Sequence, residues 1–132
     1  MSQQVLLPAG WKRPSGYSNG IAAQGRMVFV AGQIGWDENY TFTDESMAGQ
    51  VTQTLRNTMA VLAEAAAGPQ HIVRMTWYIT SRREYLEQRE EIGKAWMEII
   101  GKHFPAMAVV EVSALIESKA KVEIETTAVV PV

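Results

Sequence analysis

Two carboxylates in the last third of the chain, Glu111 in "FPAMAVVEV" (104–112) and Glu123 in "KVEIETTAVV" (121–130), are of a type that moves protons or holds a water in an enclosed cleft. Glu123 is the candidate catalytic group, although strand alternation equally allows it to line a solvated sheet face near Lys121. In an extended chain Met107, Val109, Glu111 and Ser113 point one way, while Ala108, Val110, Val112 and Ala114 point the other. The second, apolar set is expected to be core. Met107 then shares a face with a carboxylate, where a thioether brings no charge and almost no hydrogen-bonding capacity.

The remaining polar residues narrow the chemistry. His71 and His103 have no ligand partners at metal-binding spacing, and no metal site is expected; His103, near a helix C-terminus, suits the dipole and the terminal carbonyls. "GQIG" (32–35) lacks the companions of a phosphate loop, so it reads as a sharp strand exit whose backbone N–H groups could meet a ligand oxygen. "REYLEQREE" (83–91) reads as a solvated helix face laced by charge pairs four residues apart. Trp11, Trp36, Tyr40 and Trp77 are more aromatic surface than so small a core needs, which points to an interface or a ligand wall. With no cysteine there is no thiol nucleophile and no disulfide framework.

The frame that must position these groups is one domain's worth of chain, residues 1–132, with 47% hydrophobic and 20% charged residues. A net charge of −2 leaves no footprint for nucleic acid. The N-terminus lacks a signal-peptide pattern and no run approaches membrane-spanning length, so a cytoplasmic location without a membrane partner is expected.

Segments 17–23 and 26–34 read as a hairpin turning through Gln24-Gly25. Met47, Val51, Leu55, Met59, Leu62 and Ala66 recur at helical spacing, predicting a helix over about 44–67 that Gly68 and Pro69 end. A strand follows over 71–80. Ser81 and Glu84 form a capping-box signature for a second helix reaching about residue 103. Strands over about 107–114 and 120–130 close the chain, and they are expected to pair, bringing Glu111 and Glu123 onto neighbours. The order is ββαβαββ, an α+β class, with both helices on one face of the sheet. The other face is left bare, and small domains commonly bury such a face by symmetric association.

In order and at consistent spacing, "GYSNGIAAQGRMVFVAGQI", "QTLRNTMAVLAEAAAG", "HIVRMTWYIT", "FPAMAVVEV" and "KVEIETTAVV" resemble the Rid/YjgF family of reactive-intermediate deaminases over about residues 15–130. The resemblance implies a chorismate-mutase-like fold assembled as a homotrimer around a central barrel, with ligand clefts between subunits. Active members hydrolyse enamines and imines such as 2-aminoacrylate to a keto acid and ammonia, without metal or organic cofactor. In their "PARS.VEV" motif an arginine grips the substrate carboxylate; here the motif is Pro105-Ala106-Met107-Ala108, and Met107 stands in the arginine's place. Tyr17 matches the family's ligand-facing tyrosine, Gly32 and Gln33 its "SGQ" segment, Arg74 the basic position of the central strand, and Glu123 the glutamate associated with the water. The expected ligand-binding set is Tyr17, Gly32, Gln33, Arg74, Met107 and Glu111, with Glu123 catalytic. The resemblance implies a small-metabolite ligand and deamination of an enamine or imine other than 2-aminoacrylate, an aminomuconate-like compound for example. The alternative is a non-catalytic ligand-binding or interaction trimer. The endoribonuclease label attached to some relatives sits poorly with an acidic chain lacking paired histidines.

Overall fold

A computed structural model describes residues 3–132. A mixed four-stranded sheet runs in the order β3 (Arg26–Ile34), β6 (Val122–Val130), β4 (Ile72–Ile79), β5 (Ala106–Glu111), and a two-stranded ribbon pairs β1 (Gln3–Leu6) with β2 (Gly20–Ala23). Helix α1 (Met47–Glu64) connects β3 to β4, while α2 (Arg82–Glu87) and α3 (Arg89–Ile99) connect β4 to the parallel strand β5. The helices share one sheet face with the core, built from Val51, Leu55 and Leu62 of α1, Met75, Trp77 and Ile79 of β4, and Val122 and Ile124 of β6. Among the described residues no helix is long and apolar enough to cross a membrane.

The helix stripe forms as its spacing predicts. Ser46 caps α1, its hydroxyl accepting from the Gly49 N–H, and Met47, Val51, Leu55 and Leu62 are buried. The helix ends three residues before the expected position, because Ala66 adopts a left-handed conformation (φ 54°). The Ala66 and Ala67 N–H groups return to the carbonyls of Ala63 and Leu62, a Schellman closure made without glycine. Gln50, only 1% exposed, ties α1 to the loop before β6: its amide donates to the Lys119 carbonyl at 3.0 Å and accepts from the Lys121 N–H at 2.8 Å.

Four expectations are corrected. β2 pairs with β1 instead of folding back on β3. The second helix is broken at Gln88, whose side chain leaves its own helix to accept from the Ala48 N–H at the start of α1. β5 and β6 are not neighbours, since β4 lies between them, so Glu111 and Glu123 do not share a strand pair. The faces of β5 are reversed as well: the parallel register sets Met107, Val109 and Glu111 beside Met75, Trp77 and Ile79 on the helix side, and leaves Ala108 and Val110 exposed on the open face. Both faces of β5 are apolar enough that alternation alone does not choose between them; the partner strand does.

Candidate functional site

Met107 belongs to a cavity of about 600 Å³ between β5, the residues just before Ser18, and α3. Ser18 fastens its segment to the free edge of β5: its N–H donates to the Pro105 carbonyl at 3.0 Å and its hydroxyl to the Phe104 carbonyl. That attachment places Tyr17, 43% exposed, in the same cavity wall as Met107. Trp77, Tyr85, Trp96 and Phe104 give the wall further aromatic surface. Trp77 meets Tyr85 edge to face at 6.4 Å between centroids and lies 6.2 Å from Trp96. Burial pushes the Tyr85 hydroxyl up, partly offset by the charge of Arg89. The indole N–H groups of Trp77 and Trp96 are buried without a partner among the described residues.

Gly32, Gln33 and Glu123 form a second group, on β3 and β6. Between Val30 and Gln33 three steps of β3 face two of β6, a bulge that re-aims the strand just before it ends. A methyl group on Gly32 would collide with the Glu123 carboxylate, so glycine is what lets that side chain lie across the strand. Gln33 turns its amide back to the Ala31 carbonyl at 3.1 Å.

The other expected site residues lie elsewhere. Arg74 is exposed on the open sheet face, in a groove with Phe29, Glu125 and Thr127. On that face a hydrogen bond to Glu125 (2.8 Å) pushes the Tyr78 hydroxyl up; burial and the charges of Glu125 and Glu123 add to this, and Arg74 opposes it. Glu111 accepts from the Arg82 N–H at 2.6 Å, beside Ser81, which accepts from the Glu84 N–H at 3.0 Å. Its carboxylate thus stabilises the start of α2. His71 Nδ1 accepts from the Gly68 N–H, and His103 Nε2 donates to the Ile72 carbonyl at the head of β4, where carbonyls of its own helix were expected. Trp36 stacks on Tyr40 at 4.3 Å within its own loop, outside the Met107 cavity.

Within one chain the structure therefore brings Tyr17 to Met107 and Gly32 to Glu123, and separates these pairs. Arg89, Gly93 and Trp96, which line the cavity from α3, were not singled out by sequence reasoning. The signal for Arg89 was present: the residues four before and four after it are Tyr85 and Gly93, so the charge-pair pattern of its neighbours skips it.

The sequence pattern of the family described as "Endoribonuclease L-PSP" matches residues 11–130. The chain belongs to the Rid/YjgF family. A RutC family protein of Synechocystis is 32% identical over 134 residues, covering 99% of both chains, and one from Aquifex aeolicus is 34% identical over 113 residues, 86% of this chain and 87% of the relative. The crystal structure of the Rid protein YyfB from Yersinia pestis superposes with a TM-score of 0.85 at 28% identity, over 98% of this chain and all of the other. The Rid fold is thus shared with YyfB along that protein's full length.

Proposed function

We propose that this chain forms a Rid-type homotrimer that binds a small unsaturated metabolite in clefts between subunits and hydrolyses an enamine or imine larger than 2-aminoacrylate. The observation that carries the reading is the separation just described. Tyr17 and Met107 flank the β5 edge of the sheet, Gly32, Gln33 and Glu123 sit where β3 at the other edge ends against β6, and a cleft between two copies would join them. In such a cleft the apolar wall receives the body of the ligand. Glu123 holds a water and accepts its proton as the oxygen adds to the imine carbon; the nitrogen takes up protons and leaves as ammonia, and a carbonyl remains. An enamine first takes a proton on carbon to become the imine. Only Glu123 among these residues carries a charge able to serve those steps.

The test generates 2-aminoacrylate and, separately, an aminomuconate-type enamine in situ and follows ammonia release. Faster release from the larger compound, abolished in Glu123→Gln, is expected. No acceleration with either substrate would instead favour a ligand-binding trimer without catalysis.

A further inference from the structure

The wall of the Met107 cavity contains one charged residue among those described, Arg89, the first residue of α3. Its neighbours in sequence are paired on the surface: Arg83 with Glu87 at 3.0 Å and Lys94 with Glu90 at 3.7 Å. Arg89 makes no ion pair among the described residues, because one helical turn away in either direction stand Tyr85 and Gly93 and no acid. A guanidinium beside aromatic rings, with no carboxylate in the same wall, leaves the cavity mouth complementary to an anion.

Gly93 is the second, independent observation. It lies inside an eleven-residue helix, where glycine is destabilising relative to alanine. A Cβ there would meet nothing within 4 Å, so no packing contact within the chain requires the glycine. The space it leaves opens on the cavity, one turn beyond Arg89 and beside Trp96. The helix gives up stability at the point where a bound molecule would pass between Arg89 and Met107.

We propose that Arg89 is the anion anchor of this cavity, and that the ligand is a flat unsaturated or aromatic carboxylate. Its carboxylate meets Arg89, its plane passes over Gly93, and its body lies against Tyr17, Trp96 and Met107. The charge that a motif arginine would bring on β5 is thus supplied from α3, on the opposite wall. A carboxylate held there leaves room along the Met107 side for a longer apolar body than 2-aminoacrylate has. The inference rests on the cleft-binding reading above, but concerns binding and not turnover.

The test uses the full-length protein in its native assembly and two probes of matched shape, trans-cinnamate and its neutral amide, titrated by calorimetry. Cinnamate is expected to bind about tenfold more tightly, a difference of roughly 1.4 kcal/mol. Arg89→Gln should remove that preference, and Arg83→Gln, on the solvated side, should keep it. Gly93→Ala should raise the unfolding temperature while weakening both probes, which a purely structural glycine would not do. A preference for cinnamate that survives Arg89→Gln, or no measurable binding of either probe to the wild type, overturns the proposal, as does a Gly93→Ala protein that binds both probes unchanged. Because enamine hydrolysis is measured separately, Arg89-dependent binding without turnover would remove only the catalytic reading. Enamine turnover together with cinnamate binding indifferent to Arg89 would remove only this one.

Discussion

Met107 is half-buried opposite Met75 in the parallel register, and its side chain enters a wall that already contains Arg89. Losing a charge-assisted pair in a partly enclosed cleft costs on the order of 2–5 kcal/mol, or roughly one and a half to three and a half decades of rate. The wild-type protein is therefore expected to accelerate 2-aminoacrylate hydrolysis only weakly. Met107→Arg should recover about a decade in a coupled assay of keto-acid release, and no more, because it sets a second guanidinium in a cavity that already has one. Adding Arg89→Gln to Met107→Arg should raise that recovery further. Robust wild-type activity on 2-aminoacrylate would show that another group already holds its carboxylate, and a double variant slower than the single one would show that the two cations do not compete for one anion. That residue 107 brings no charge to β5 was legible from the sequence. The charge at position 89 was marked only by its lack of an acid one turn away, and an arginine in a run of acids and bases looks solvated until the strand opposite it is known.

Local stops and caps decided which elements the sequence revealed. The stripe of α1 and its Ser46 cap follow from spacing and residue type, but its end depends on Ala66 taking a conformation that favours glycine, which no residue letter announces. The break at Gln88 was equally hidden, since the partner of its side chain is the Ala48 N–H of a helix forty residues away. Strand order was the least legible feature: β6 is last in the chain yet lies between β3 and β4, antiparallel to both, so adjacency in sequence misplaced Glu111 relative to Glu123. One cap can be tested by pH. Asp44 accepts from the backbone N–H of Ser46 at 2.8 Å and from its hydroxyl at 2.7 Å, and these bonds, the backbone one foremost, hold its carboxyl below the usual aspartate value of 3.8. A group depressed on folding adds stability above its unfolded pKa and loses it as pH falls through the folded one. Wild type should therefore melt above Asp44→Asn near neutral pH, with the gap closing as the pH drops below 3.8. A gap independent of pH across that window would mean that the carboxylate charge does not support the Ser46 cap.

At the scale of the molecule, the face opposite the helices carries more apolar surface than a solitary sheet is expected to show. Phe29 is 70% exposed and Met27 57%, both on the edge strand β3, and Val110 and Ala108 extend the apolar area on β5. Between them Arg74, Tyr78 and Glu125 form a polar strip tied by the Tyr78–Glu125 hydrogen bond. Such a face suits symmetric association, in which like edges meet neighbours and the polar strip is shared around an axis. If the trimer closes through this face, a charge at Phe29 is buried against an apolar neighbour and assembly fails. Phe29→Glu is therefore expected to run as a monomer by light scattering at micromolar concentration, with the wild-type circular dichroism spectrum, because the residue contributes nothing to the core beneath α1. The same variant should lose enamine hydrolysis, if the proposed cleft between subunits is what brings Glu123 to Tyr17 and Met107, and should keep cinnamate binding, because Arg89, Gly93 and Met107 line one cavity of a single chain. A Phe29→Glu protein that keeps the wild-type mass would place the interface elsewhere. One that becomes monomeric yet hydrolyses the enamine at the wild-type rate would show that Glu123 acts without a cleft between subunits.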